Sequence, residues 1–288
     1  MSLFFAILFC CLPCFFQVPV LKELEFLSIH VLTDYPQSFD LSGITNIEGD
    51  YWVVDDKEWN DNTYKIALGA GNFYFVDSVS LGIDYKSDIE GIDYCAELGI
   101  FFTDEEYDRI YLSASSANSE MVFNKGQLPN QRWAKNKGLE GVAVDCQNRI
   151  LYLAKEREPP FIIIYDIESK QVIDIITLPD EEGDISDLKV ENGFLYILER
   201  NENYITKMDL NTKQIVARVS YKNTCSHPDG KLYHNSQYGM GEALLLTPEE
   251  IWIGLDNNGL PFSEHAQKSY GLSGNQPVLI RFKRPSGF

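Results

Sequence analysis

Basic residues are scarce in this 288-residue chain. Lys and Arg number 24 against 43 Asp and Glu, so the formal net charge is −19 at pH 7. A surface this acidic repels the phosphates of nucleic acids, which excludes DNA or RNA binding as a function. The excess carboxylates either serve solubility alone or gather in a cleft where they hold a hard cation.

Long apolar segments are missing after the first twenty residues. Residues 1–20 carry no charge, and Leu3–Phe16 is almost continuously apolar. This length suits the core of a signal peptide rather than a membrane span, although no basic residue precedes it. Cleavage before Cys11 or Cys14 with lipidation is an alternative, with poorly matching flanking residues. We therefore expect a signal peptide or lipoprotein leader at residues 1–20. The rest, 21–288, should be one exported domain without a transmembrane span, in the envelope, periplasm or medium.

Common catalytic motifs are also missing. There is no Gly-x-Ser-x-Gly, no His-Glu-x-x-His and no phosphate-binding glycine loop. Two of the four histidines, His227 and His234, share one polar insertion, Tyr221–Met240. They could act as acid or base over a binding site, or they could simply be exposed loop residues. No catalytic residue is assigned.

What the sequence does contain is a pattern that recurs five times. Its copies begin at Leu41, Ile89, Leu139, Ile185 and Gly241, and each leads through a turn to a second apolar run that ends in charge. The spacing is about 50 residues, in sequence rich in β-branched and aromatic residues, which is typical of a β-propeller. Cys95 and Cys146 occupy comparable places in neighbouring copies. We expect both to be buried apolar side chains rather than a disulfide or a metal site.

Each repeat predicts one blade of four antiparallel strands, but the fifth lacks an outer strand. Glu25–Val31 has strand composition and precedes the first repeat, so we expect it to complete the last blade and close the ring. The sequence therefore predicts an all-β, five-bladed propeller, with six blades as the alternative. The insertions Asn118–Lys137 and Tyr221–Met240 are expected to form loops at a binding mouth.

Polar residues recur at two positions of the repeat. The inner strands carry Ser42, Glu90, Glu140, Ser186 and Glu242, and the second strands end at Asp56, Glu105, Glu156, Arg200 and Asp256. Inner strands of a propeller run in one direction around a central channel, so the glutamates should face one another. Whether both sets reach the same end depends on the turns between the strands. Clustered carboxylates raise each other's pKa or require a cation, and Ca²⁺ accepts six to eight oxygens. The alternative is that these residues only tie neighbouring blades together by hydrogen bonds.

The glycines that follow the anchor position have a simpler interpretation. Gly43, Gly91 and Gly141 lack a Cβ, which lets neighbouring strands approach closely near the axis. We predict that they are packing positions.

Three segments carry a family resemblance. Asp88–Ile92, Gly138–Asp145 and Gly241–Pro248 resemble the SdiA-regulated propeller family, and also a related group described as having esterase-like activity of phytase. The resemblance extends from about residue 25 to 284. It implies an exported propeller that acts on phosphate esters with calcium. The implied Ca²⁺ ligands are Glu90, Glu140, Glu242, Asp56, Glu105, Glu156 and Asp256. Arg200, Lys155, His227 and His234 are the candidates for substrate binding. Ser42 and Ser186 depart from the pattern, because the other three copies carry glutamate there.

Two functions from different classes therefore remain open. One is a calcium-dependent phosphoester hydrolase. The other is a non-catalytic envelope propeller, monomeric, that binds a protein or small ligand on its loop face. Fold alone does not decide between them, because propellers host both.

Overall fold

The computed structural model describes residues 20–35, 39–57, 61–83, 86–115, 118–133, 137–178, 183–227, 230–234 and 241–288. The predicted leader lies outside the described residues up to position 19. Among the described residues, no helix is both long enough and apolar enough to cross a membrane.

Most of the described strands fall into antiparallel units of four, which are numbered here in chain order, and each strand is a short alternating run. Two strands precede the first repeat: β1 (Val20–Glu23) and β2 (Glu25–Leu32). Unit 1 contains β3 (Leu41–Ile47), β4 (Asp50–Asp55), β5 (Asn62–Leu68) and β6 (Asn72–Ser80). Unit 2 contains β7 (Ile92–Cys95), β8 (Gly99–Asp104), β9 (Arg109–Ser115) and β10 (Asn118–Asn124), followed by a 3₁₀ turn, Lys125–Gln127.

The second half continues the same pattern. Unit 3 contains β11 (Leu139–Asp145), β12 (Ile150–Lys155), β13 (Phe161–Asp166) and β14 (Gln171–Thr177). Unit 4 contains β15 (Ile185–Glu191), β16 (Phe194–Glu199), β17 (Tyr204–Asp209) and β18 (Gln214–Ser220). A short helix α1 (Lys222–Cys225) and the hairpin β19 (Ser226–His227) and β20 (Gly230–Lys231) follow. Unit 5 contains β21 (Gly241–Leu246), β22 (Glu250–Leu255), helix α2 (Glu264–Tyr270) and β23 (Val278–Lys283), with β2 as its fourth strand.

Strand β2 closes the ring, as the sequence predicts. It pairs antiparallel with β23, with Phe26 opposite Phe282 and Val31 opposite Val278. Its last residues pair in parallel with β6, where Leu32 lies opposite Phe73. Units 5 and 1 therefore share one continuous eight-stranded sheet, and two sheet edges that would otherwise be exposed are paired.

The first strands of the units surround a common axis. Strands β3, β7, β11, β15 and β21 contact one another in that order, and β21 returns to contact β3. The buried apolar side chains form clusters between neighbouring units, for example Phe101 with Leu153 between units 2 and 3, and Ile162 with Leu188 between units 3 and 4. Because the apolar core lies between the units, the axis itself is left to polar groups.

The glycines of the repeat are packing positions, as predicted. A Cβ at Gly91 would lie 2.5 Å from the Glu140 carbonyl oxygen, and one at Gly141 would lie 2.7 Å from the Asp187 Cα. In both places the backbone of the next unit fills the space that a side chain would need.

The structure corrects two predictions. Cys95 and Cys146, with Cα atoms 5.6 Å apart, form a disulfide between units 2 and 3, so the prediction of two unlinked apolar side chains is wrong. Both cysteines lie at the same end of adjacent inner strands, which places them face to face. The segment Asn118–Lys137 is not wholly a loop, because its first seven residues are the outer strand β10, with Phe123 buried.

Candidate metal centre

The two predicted sets of polar residues lie at the same end of the axis. In unit 3, Leu139 at the start of the inner strand pairs with Lys155 at the end of the second strand. This antiparallel register brings Glu140 and Glu156 together. The geometry of the hairpins thus settles what the sequence left open.

The carboxylates form three groups in which one oxygen of each member lies within 4.8 Å of the others. The groups are Glu105–Glu140–Glu156, Asp56–Asp88–Glu90 and Asp40–Asp56–Asp256. Six of the seven predicted ligands belong to them, and the seventh, Glu242, contacts the same cluster through Arg200.

Sequence reasoning missed three carboxylates of this cluster: Asp40, Asp88 and Asp184. Each lies two residues before the anchor position of its repeat, ahead of Ser42, Glu90 and Ser186. This recurrence at three of five copies is a signal that could have identified them.

Burial dominates the electrostatics of the cluster. Glu140, Glu156 and Glu242 are 5%, 2% and 7% exposed. Burial raises the pKa of Glu156 and of Glu242 to about 7, although Arg200 opposes the shift in both. Burial and the charge of Asp56 raise the pKa of Asp88 to about 7.

The other predicted ligands shift in the same direction, with burial as the largest cause for each. The pKa of Glu90, Glu140 and Asp256 is raised well above its ordinary value, and that of Asp56 and Glu105 is raised. Without a cation, this cluster therefore retains protons near neutral pH.

Arg200 is the internal cation of the cluster. Its guanidinium donates to the carboxylates of Glu156 in unit 3 and Glu242 in unit 5, and to Asp184 at 2.8 Å. Burial opposes the charged form, yet the surrounding carboxylates raise the pKa of Arg200 well above its ordinary value. Arg200 thereby cross-links three units, whereas the sequence suggested a role in binding substrate.

Two carboxylate oxygens of this cluster have no hydrogen-bond partner among the described residues. Oε2 of Glu156 and Oε2 of Glu242 are buried and have no hydrogen-bond partner in the described part of the chain. An unsatisfied buried carboxylate oxygen is costly, so both positions call for a cation or a donor.

The other cations near the axis are already paired. Lys57 bonds Asp40, and its Nζ lies 2.8 Å from an oxygen of Asp56. Nη1 of Arg157 lies 2.9 Å from Glu156 and 3.3 Å from Asp184, and the Arg157 side chain is 32% exposed.

In the described part of the chain, four carboxylates of units 2 and 3 lack a direct ion pair of this kind, although the charge of Arg200 acts on Glu105 and Glu140. Within the described residues, no Lys or Arg forms an ion pair with Asp88, Glu90, Glu105 or Glu140. In that part of the chain, these four carboxylates therefore lack the direct ion pairs that Asp56, Glu156 and Glu242 form.

Lys155 does not lie at the mouth of the axis. The side chain is fully buried, and its Nζ donates to the carbonyls of Arg157 and Pro159. Successive residues of a strand point to opposite sides, so a strand that turns Glu156 toward the axis turns Lys155 away from it. The structure does not support the predicted role of Lys155 in binding substrate.

The substrate-binding role predicted for the two histidines of the insertion stays a prediction. His234 is exposed, and its backbone N–H donates to the carbonyl of Pro261 at 2.9 Å. The side chain of His227 lies outside the described residues.

The hydroxyl residues at the anchor position have the structural role that was the alternative interpretation. Oγ of Ser42 donates to the Ile89 carbonyl at 2.7 Å, and Oγ of Ser186 donates to the Gly241 carbonyl at 2.6 Å. Each bond joins one unit to the next. In the two repeats that carry serine instead of glutamate, the serine therefore links neighbouring units by a hydrogen bond.

Below the carboxylates a lysine crosses the axis. Nζ of Lys189 in unit 4 donates to the carbonyl of Ile92 in unit 2 at 3.0 Å and lies 3.4 Å from Asp187. Asp187 also accepts backbone N–H groups of Leu188 and Leu244, both at 2.7 Å. This layer supports the cluster from beneath.

Comparisons with known proteins agree with this architecture. A sequence model of the SdiA-regulated family matches residues 74–226, just over half of the chain. The crystal structure of Myxococcus xanthus glutaminyl cyclase superposes with a TM-score of 0.55 at 10% identity, covering 91% of this chain and 100% of that chain. At such low identity the likeness shows the fold alone, and it supports the all-β propeller.

A virginiamycin B lyase from Staphylococcus aureus, solved with quinupristin, gives a TM-score of 0.48 at 13% identity. It covers 86% of this chain and 67% of that chain. A TM-score this low adds nothing on function.

Proposed function

This chain belongs to the SdiA-regulated family, and we propose that it is an exported, calcium-dependent phosphoester hydrolase built on a five-bladed propeller. One observation carries the proposal: three-carboxylate groups meet at one end of the axis, where Glu156 and Glu242 each keep a buried oxygen without a partner among the described residues.

The blade count is supported by the order of contacts around the axis. The five inner strands contact one another in sequence order and the last contacts the first, which leaves no gap for a further inner strand. Each inner strand begins one four-stranded unit, which supports five blades among the described residues.

The donor set favours calcium. All candidate ligands are carboxylate oxygens, and hard oxygen donors in irregular geometry suit Ca²⁺ better than zinc, which prefers nitrogen and sulfur. Glu105, Glu140 and Glu156 would hold one ion, and Asp56, Asp88 and Glu90 would hold a second. The third group is a poorer site, because Lys57 already bonds two of its members, Asp40 and Asp56, but only one member of the second group.

The residues around these groups supply the remaining chemistry. A bound calcium ion would neutralise charge on a substrate phosphate and polarise a water for attack at phosphorus. Arg157, the most exposed of the paired guanidinium groups here, is placed to bind a phosphate oxygen. Glu242, with its pKa raised to about 7, is suited to accept the proton of the attacking water and return it to the departing alcohol.

The test is turnover of 4-nitrophenyl phosphate and phytate with calcium and with a chelator. Glu90→Gln, Glu140→Gln and Glu242→Gln should each lower the calcium-dependent rate about 100-fold or more. Glu168→Gln, which changes an exposed turn residue, is the matched control and should retain the rate. Folded protein that hydrolyses neither substrate with any added metal ion would refute the proposed hydrolase activity.

A second candidate is a non-catalytic envelope propeller that binds a partner on its loop face. This candidate is favoured by the pairing of Arg200 with three carboxylates, because that network could serve the stability of the fold without any catalysis. In that case the glutamine variants would change the unfolding temperature, and no substrate would be turned over.

Export is supported by the disulfide between Cys95 and Cys146. Disulfides persist in oxidising compartments and are rare in a reducing cytosol. Membrane extraction and mass analysis of the mature amino terminus would distinguish a cleaved signal peptide from a lipid anchor.

A further inference from the structure

A large cavity opens beside the carboxylate cluster. It has a volume of about 810 Å³ and lies between the end of β2 and the segment that follows α2. This size is within the range of small-molecule sites in proteins. Asp40 and Asn257 line it, and Asp40 belongs to the cluster of three residues that also contains Asp56 and Asp256. The cavity therefore borders the axial carboxylates at Asp40.

The walls of the cavity combine polar and apolar surface, and the apolar side chains are held in place by packing. Tyr35 and Phe39 line it, and their rings meet edge to face with centroids 5.3 Å apart. Tyr270, on the opposite wall, packs against Phe26 at 5.3 Å. The wall also includes the buried side chain of Leu272. Fixed aromatic and aliphatic side chains of this kind suit an aryl or alkyl group.

The charge along the cavity has one sign. The side chains on its wall that carry charge at neutral pH are Asp34 and Asp40, and no Lys or Arg lines it among the described residues. Nearby, Lys57 and Arg200 are already paired with carboxylates. An anionic organic group would be repelled here, and a polyphosphorylated one would find no cations for its further phosphates.

We propose that this cavity binds the organic part of the substrate, and that this part is an uncharged aryl or alkyl group. The substrate is then a monophosphate ester of an uncharged alcohol rather than a polyphosphorylated compound such as phytate. This inference rests on the proposed function for the phosphate end of the substrate, and it adds the class of alcohol.

Equilibrium binding tests the cavity without turnover. Phenylphosphonate and methylphosphonate share one charged group, resist hydrolysis and differ in the group that would enter the cavity. In calorimetric titrations with calcium, phenylphosphonate should bind about tenfold or more tightly than methylphosphonate, because a phenyl group buries more apolar surface.

A variant that fills the cavity completes the test. Ser273 is an exposed residue on the cavity wall, so Ser273→Trp should remove the preference for phenylphosphonate. Ser269→Trp, on the exposed face of α2, is the matched control and should keep it. In kinetics, Ser273→Trp should raise KM for 4-nitrophenyl phosphate while kcat and calcium affinity stay unchanged.

The outcomes separate the two proposals. Equal affinity for both phosphonates, an unchanged preference in Ser273→Trp, or faster turnover of phytate than of 4-nitrophenyl phosphate would overturn the cavity assignment and leave the hydrolase standing. No calcium-dependent binding of either phosphonate would overturn the proposed function, and the cavity assignment with it.

Discussion

The ammonium of Lys189 and the carbonyl of Ile92 lie 3.0 Å apart and connect unit 4 with unit 2, which are not neighbours in the ring. The Lys189 side chain is 8% exposed, and its carboxylate partner Asp187 is fully buried. A cation at this depth is retained because a carboxylate and a carbonyl both satisfy it.

Replacing Lys189 should therefore destabilise the whole ring. In Lys189→Met, Asp187 keeps its backbone donors but loses its cation, and we expect the free energy of unfolding to fall by about 3 kcal/mol. Urea denaturation measures the change. Lys170→Met, which removes an exposed ion pair, should cost less than about 1 kcal/mol. A similar loss in both variants would show that Lys189 does not support the axis.

Arg200 should couple stability to calcium. Arg200→Gln leaves buried carboxylates of Glu156, Asp184 and Glu242 without their cation, so calcium-free protein should lose about 3 kcal/mol or more. Calcium should restore part of this loss. Unfolding temperatures with calcium and with chelator measure the effect, with the exposed Arg132→Gln as control. An Arg200 variant as stable as the native protein in chelator would contradict this account.

The raised pKa values of Glu156 and Glu242 predict how stability depends on pH. The ordinary pKa is 4.5 and the value in the folded protein is about 7, so between these values the folded state binds more protons than the unfolded state. Their contribution to the stability of calcium-free protein is complete below about pH 4.5 and is lost as the pH rises through 7. Denaturation at several pH values in chelator measures this slope.

Calcium should reverse the trend, because it binds the deprotonated carboxylates. Stabilisation by calcium should grow as the pH rises from 5 to 8, with release of protons on binding. In Glu156→Gln the pH slope in chelator should become shallower. A slope of the opposite sign in chelator would be inconsistent with burial as the dominant influence on these groups.

The disulfide between Cys95 and Cys146 should contribute measurably to stability. It joins residues 51 positions apart, and a cross-link of this span stabilises by about 2–4 kcal/mol. Cys95→Ser combined with Cys146→Ser should lower the unfolding temperature. A reducing agent should do the same to the native protein and have no further effect on the double variant. Equal unfolding temperatures with and without reductant would show that the link is unimportant.

The repeat made most of the fold predictable from sequence. Alternating apolar residues and turn residues define strands such as Phe161–Asp166 locally, and the absence of an outer strand in the last repeat identified β2 as the closing strand. These features depend on local patterning and on counting strands, both of which a sequence displays directly.

The site was only partly predictable, because it depends on geometry between repeats. The turn between β11 and β12 sets the register that brings Glu140 next to Glu156, and the residues of that turn do not indicate this register. Lys155 was misassigned because strand alternation turns it away from Glu156. Cys95 and Cys146 were taken for apolar side chains because their distance is set by the packing of two units.

Strand β2 has a consequence for ligand binding. It closes the ring and also forms one wall of the cavity, while the opposite wall follows α2 in unit 5. A molecule bound between them would contact both β2 and unit 5, at the place where β2 closes the ring. Ligand binding in the cavity should therefore stabilise the pairing of β2 with unit 5, and loss of that pairing should weaken ligand binding.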